Sequence, residues 1–181
     1  MTLYAVYVLA GLVFALWLAR QWTRRHASCE RASRPRELAN AELVYMEKLF
    51  RIRAPIRLVA KADRVYRLPG GSLVLVELKT RSTNRAYPSD IIQLSAQKVA
   101  IEHQTGEVVE PFAFVTALHP TSPRRWRFHR VRLLDEGQVI ALAQRRSDIL
   151  ARQADPTYAS SARACAGCAF RTRCDRFESQ A

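Results

Sequence analysis

No charged side chain occurs in the first 19 residues, and no lysine or arginine precedes Arg20. A cleaved secretory leader needs a basic start and a small-residue cleavage site, and this stretch lacks a clear version of either. Lysine is scarce: arginine supplies 25 of the 29 basic residues, against only 16 acids, for a net charge of +13. That deficit of acids points the chain toward polyanions, either DNA or anionic lipid, and arginine's planar fork suits phosphate. No internal repeat or low-complexity tract occurs. About 155 residues follow the apolar start, enough for one core and one domain.

The uncharged stretch from Met1 to Ala19, almost wholly apolar from Leu3 on, is ~28 Å long as a helix, close to the hydrocarbon thickness of a bilayer. Arg20, Arg24, Arg25, Arg31, Arg34 and Arg36 follow it. By the positive-inside rule the expectation is a single-pass protein of a bacterial inner membrane, N-terminus out and domain cytoplasmic. Tyr4, Tyr7, Trp17 and Trp22 suit the interface. The expected organisation is a transmembrane anchor over 1–20, a basic juxtamembrane linker over 21–35, a core over 36–154 and a cysteine-rich tail over 155–181.

The chemistry centres on the run Ser72-Leu-Val-Leu-Val-Glu-Leu-Lys-Thr80. In a strand, Leu73, Leu75, Glu77 and Lys79 share one face. Val65–Arg67 reads as a second strand, and Pro69-Gly70-Gly71 has the glycine that a three-residue hairpin loop needs. Pairing Leu68 with Ser72 puts Asp63 opposite Glu77, where cross-strand Cβ atoms lie only ~5 Å apart. Two such close carboxylates repel unless a cation sits between them. A two-residue loop would slip the register by one and destroy the site. An Asp, then Glu-x-Lys at a strand end, is a minimal apparatus for metal-dependent phosphodiester cleavage. The plainer alternative is a hairpin with polar residues at its open end.

Flanking segments read as helices. Arg36–Phe50 has no glycine or proline, and at helical spacing Leu38, Ala39, Leu43, Tyr45, Met46, Leu49 and Phe50 form an apolar face that encloses Glu42. A carboxylate there needs an arginine or a metal, so Glu42 is a candidate third acid. Ser89–His103 is the next helix, with Ser89 as N-cap and Asp90 in the first turn. Gln93 and Gln97 point inward from it and need partners; Gln97 is the weaker candidate, able to bond merely to backbone. Strands follow at Phe112–Leu118 and Arg124–Arg132, the latter with a basic face that a solvated edge would also show. A last helix covers Leu134–Gln153. The whole predicts an α/β fold with a mixed central sheet flanked by helices.

This order resembles the PD-(D/E)XK nucleases, and in particular their RecB-like branch. The matching residues are an acidic first helix, Asp63, Glu77-Leu78-Lys79 and a helix opening with Gln93. Tyr87, Asp90 and Gln93 are similar to that branch's Tyr-x-x-Asp-x-x-Gln run; its tyrosine four residues after the glutamine is Gln97 here. Some members carry histidine, not an acid, on the first helix. The resemblance implies a restriction-endonuclease-like core and Mg²⁺ or Mn²⁺ on Asp63 and Glu77, with Glu42 and the Leu78 carbonyl as further ligands. Lys79 would orient the attacking water and Gln93 the substrate backbone.

Only four cysteines occur: Cys29, then Cys165, Cys168 and Cys174 in Cys165-Ala-Gly-Cys168-Ala-Phe-Arg-Thr-Arg-Cys174. Four thiolates can wrap one metal centre, either an iron–sulfur cluster or zinc. Disulfides rank last in a cytoplasmic domain. One cysteine before the core and three after it resembles the iron–sulfur RecB-like exonucleases, including the CRISPR-associated ones. That implies a 4Fe–4S cluster stapling the termini and exonuclease action on single-stranded DNA ends. The rival readings are a nucleic-acid-binding module with weak catalysis and a zinc-stapled scaffold at the membrane.

Overall fold

In a computed structural model the described residues are 12–18, 20–21, 30–31, 33–158 and 162–174. Cys29 and most of the expected anchor lie outside them. Residues 12–18 are helical with Leu12, Phe14 and Trp17 exposed. Among the described residues no helix is long and apolar enough to cross a membrane. The chain divides into two units, Met1–Ile140 and Ala141–Ala181.

The first unit is built on one five-stranded sheet in the order β1 (Glu42–Ile52), β2 (Leu58–Arg67), β3 (Leu73–Thr80), β4 (Phe112–His119) and β5 (Ser122–Arg132). Neighbours are antiparallel except β3 and β4, which run parallel and are joined through helix α1 (Pro88–Thr105). A parallel pair needs such a crossover, and the helix buries one sheet face as it returns. Leu73 and Leu75, on the face shared with Glu77, pack with Leu94, Ala100 and Ile101 of α1. The opposite face gathers Tyr66, Val74, Val76 and Phe114 with Leu38 and Ala41. The mixed α/β sheet is as expected. Helix α2 (Glu136–Leu150) follows β5, and α3 (Ala162–Ala166) opens the cysteine tail.

The first predicted helix is instead a short 3₁₀ turn, Arg36–Leu38, followed by β1. Good helix formers at helical spacing lose here to pairing with β2, whose register takes in nine residues of β1 with a shift between Leu43 and Tyr45. Val44, Tyr45, Phe50 and Ile52 suit that extended state. Tyr45 meets Phe50 edge-on at 5.5 Å, and its hydroxyl donates to Glu107 at 2.8 Å. Phe50 is fully buried.

Glu30, Ser33 and Arg34, in the stretch expected as linker, are tied to the sheet. Arg34 donates to Glu30 at 2.8 Å, the Tyr66 hydroxyl donates to the same Glu30 oxygen at 2.6 Å, and Arg64 donates to the buried Ser33 hydroxyl at 2.5 Å. Burial works to raise the Glu30 pKa, but the Arg34 and Tyr66 bonds outweigh it and hold the carboxyl below the usual range. Burial and the same Glu30 push the Tyr66 phenol up to about 12. Residues that precede the expected core are thus bonded to β2 through Arg64 and Tyr66.

Candidate active site

The β2–β3 hairpin has the expected register. Leu68 N–H donates to the Ser72 carbonyl at 2.8 Å, and Gly71 takes a φ of +93°, which suits glycine in the loop. Arg67 faces Leu73, Val65 faces Leu75 and Arg64 faces Val76. One step further the regular ladder ends. There the Asp63 carboxylate, not a backbone carbonyl, accepts the Leu78 N–H at 2.8 Å. Asp63 is therefore fixed beside Glu77, at the level the hairpin register dictates.

Glu77 is only 3% exposed and lies under α1. Gln93 donates to its Oε1 at 2.6 Å, Lys79 Nζ donates to the same oxygen at 2.8 Å, and Gln97 donates to Oε2 at 3.0 Å. Lys79 also donates to the Gln93 side-chain carbonyl at 2.9 Å, and Gln97 to the Lys61 main-chain carbonyl at 2.9 Å. Each carboxylate oxygen has two acceptor sites, so Oε1 is filled while Oε2 keeps one free. Four side chains expected at the site (Asp63, Glu77, Lys79 and Gln93) are brought together. Gln97 does more than the sequence favoured: it clamps the acid and a neighbouring strand at once. Its signal was an amide on the inward face of α1, four residues after Gln93.

Burial raises the Asp63 pKa, the Glu77 and Glu47 charges raise it further, and the Leu78 N–H and Lys79 only partly offset this. Glu47 is an acid that the sequence reading placed on the wrong kind of element. In β1 it stands between Met46, opposite Arg64, and Lys48, opposite Ala62, which puts it level with Asp63. Its φ is +53°, uncommon for any residue with a side chain, and its carboxylate pairs with Lys61. Glu42 is not part of the site. It is exposed at the start of β1, opposite Arg67, because the segment is extended and places it four rungs from Asp63.

The donor set fits a hard divalent cation. Asp63 offers the oxygen not bound to Leu78, Glu77 offers the spare position on Oε2, and the repulsion between these acids is what a cation relieves. Among the described residues no three His, Cys, Asp or Glu side chains cluster closely enough to hold a metal by themselves. Mg²⁺ commonly uses one or two carboxylates and completes its shell with water and substrate phosphate. Cys168 N–H bonds the Cys165 carbonyl at 3.1 Å, in the turn that carries both cysteines.

Replacing Gln97 by leucine removes the donor to the buried Glu77 carboxylate and to the part-buried Lys61 carbonyl. Leaving such groups unsatisfied costs about 2 kcal/mol. The expected result is a matching fall in stability to urea with unchanged far-ultraviolet circular dichroism. An unaltered urea midpoint would show that Gln97 bears no strain of this kind.

The α1 N-terminus supports the same region. Its N-cap is Tyr87 rather than Ser89, since Pro88 occupies the first helical position, where its missing N–H is harmless. Asp90 closes the turn by accepting the Tyr87 N–H at 2.8 Å and the Arg81 guanidinium at 2.8 Å. Burial works to raise its pKa, and those two bonds outweigh it and lower it.

No curated protein matches this chain. Among solved structures, one described as SSO0001 is 19% identical with a TM-score of 0.46, covering 87% of this chain and 70% of its own. An alkaline exonuclease from Laribacter hongkongensis is 16% identical with a TM-score of 0.46, covering 70% of this chain and 65% of its own. The chain thus spans about two thirds of the length of these structures. A family profile matches residues 5–175, nearly the whole sequence and every residue of the Asp63–Glu77–Lys79 site, and the chain belongs to the PD-(D/E)XK nuclease superfamily.

Proposed function

We propose that this chain is a divalent-metal-dependent deoxyribonuclease of the RecB-like branch, acting on single-stranded DNA ends. One observation carries the reading: Asp63 and Glu77 sit together on neighbouring strands with Lys79 next along the same face. A divalent cation held by these acids supplies Lewis acidity and a water acidic enough to attack at neutral pH. Asp63 and Glu77 grip that ion, with the Leu78 carbonyl as a further ligand. Lys79 places its ammonium where charge develops on the phosphate and holds the water's orientation. Gln93 keeps Glu77 and Lys79 in register and reaches toward the substrate backbone. The run Tyr87, Asp90, Gln93 supports the RecB-like assignment.

Cys29, Cys165, Cys168 and Cys174 hold a 4Fe–4S cluster in this reading, and residues 1–20 anchor the chain in the inner membrane with the nuclease cytoplasmic. The apolar start, the arginines after it and the C-x2-C-x5-C spacing support those two parts. The test is anaerobic purification of the full chain in detergent, metal analysis, and a cleavage assay on end-labelled single strands with and without Mg²⁺ or Mn²⁺. Expected are iron with acid-labile sulfide and divalent-dependent shortening from an end. A colourless zinc protein would remove the cluster, and intact strands under every divalent ion would remove the nuclease.

A further inference from the structure

Beyond Lys79, on the same sheet face, the structure has a pocket of about 240 Å³. Its floor is Ala117, the β4 residue paired with Lys79 on one side and with Arg127 of β5 on the other. A larger side chain at 117 would fill it. Side chains two apart along a strand share a face, so Arg81 continues the Glu77–Lys79 row and His119 continues the Ala117 position. The Arg81 N–H extends the ladder by bonding the Leu118 carbonyl at 3.0 Å. The pocket is lined by Arg81, Arg127, His119 and the loop Ser82–Asn84, and none of the described residues that line it carries a carboxylate.

Arg81 is held in place before any ligand arrives. Its guanidinium reaches Asp90 at 2.8 Å and lies over the Tyr87 ring at 4.7 Å. The Tyr87 hydroxyl is itself tied to Thr83 at 2.7 Å. Asp90 takes only one edge of the fork, and the buried Nε has no hydrogen-bond partner among the described residues. A buried N–H left without an acceptor is expensive, and an anion oxygen is the acceptor such a fork suits. Arg127, exposed on β5, adds a charge that no ion pair among the described residues offsets.

We propose that this pocket seats one phosphate group of the substrate strand, next to the phosphate being cut. This rests on the nuclease reading for the identity of the strand. Lys79 and Arg81 are two strand residues apart, roughly 7 Å, a spacing that a single nucleotide can bridge. A seat there fixes the strand's register against the acids, which is how binding away from the reacting atoms contributes to rate. The phosphate is either a terminal monoester or an internal diester. The same chemistry serves both, and the test separates them.

The experiment measures binding of the full chain to single-stranded oligodeoxynucleotides carrying a 5′-phosphate or a 5′-hydroxyl. It is run in EDTA over a range of salt so that no cutting intervenes. Arg127→Ala is expected to weaken binding five- to tenfold, roughly, and to lower the salt slope by about one. Arg127→Lys should keep the slope, and Ser82→Glu, which puts a carboxylate on the exposed rim, should weaken binding more than Arg127→Ala does. A wild-type preference for the 5′-phosphate that Arg127→Ala removes assigns a terminal phosphate. Equal losses on both strands assign an internal one. Wild-type affinity and slope in both Arg127→Ala and Ser82→Glu would overturn the seat. Salt-dependent binding lost in these variants, with no cleavage under Mg²⁺ or Mn²⁺, would leave the seat standing while the nuclease reading fell.

Discussion

Asp63→Asn is expected to abolish nucleic-acid cleavage, by about a thousandfold or more, and at the same time to stabilise the metal-free protein. The first effect follows from losing one of two acids on the cation, whose Lewis acidity supplies several kcal/mol of transition-state stabilisation. The second follows from the raised Asp63 pKa, caused first by burial and then by the Glu77 and Glu47 charges. A carboxyl whose folded-state value lies above its unfolded one binds its proton more tightly when folded. Its ionised form therefore opposes folding, and stability falls as pH rises from the ordinary aspartate range through the raised value. Asparagine has no charge to desolvate and keeps an oxygen for the Leu78 N–H. The variant is therefore expected to be the more stable of the two at neutral pH when no ion is present. Mg²⁺ or Mn²⁺ reverses the order, because an ion at a hundred times its Kd adds about 2.7 kcal/mol to the wild type and little to the variant. Thermal melts with EDTA and with each ion check both signs. A variant that is less stable in EDTA, or that keeps the full metal response, would remove Asp63 from the ion.

What the sequence made legible divides along local and non-local lines. The hairpin could be read because Pro69-Gly70-Gly71 fixes a loop length and strand alternation then fixes which residues meet. The partners of Gln93 and Gln97 were half legible: two inward amides announce buried acceptors, but only the fold shows that both are oxygens of Glu77. β1 was illegible for a physical reason. Its helical spacing is genuine, yet β2 pairs with nine of its residues, a ladder of hydrogen bonds that an isolated helix at that place could not match in tertiary packing. A helical period puts Glu42 on the core face, whereas in the strand Glu47, not Glu42, stands level with Asp63. The Glu30–Arg34 strap was hidden because its contacts, from Ser33 to Arg64 and Glu30 to Tyr66, join residues more than thirty apart. Nothing in Ser-Arg-Pro-Arg says that it is docked.

Lys79→Met separates gripping the ion from using it. The ammonium donates to Glu77 Oε1 at 2.8 Å and to the Gln93 carbonyl at 2.9 Å. In its absence Gln93 Nε2 still holds Oε1 and Gln97 still holds Oε2, so the acid keeps two of its three donors and its orientation. The divalent-induced rise in melting temperature is expected to survive. Cleavage should fall about 10²–10³-fold, the usual loss when one preorganised donor to a developing negative charge is removed. Lys79→Arg should recover little of it. A planar guanidinium is longer than an ammonium and cannot reproduce a point charge wedged between Glu77 and Gln93. Single-turnover rates at saturating Mn²⁺, beside melts in the same buffer, test the division. If cleavage and metal response fell together, Lys79 would be a support for Glu77 and the charge on the phosphate would need another source; Arg81, two residues along the same face, is the nearest cation in line for it.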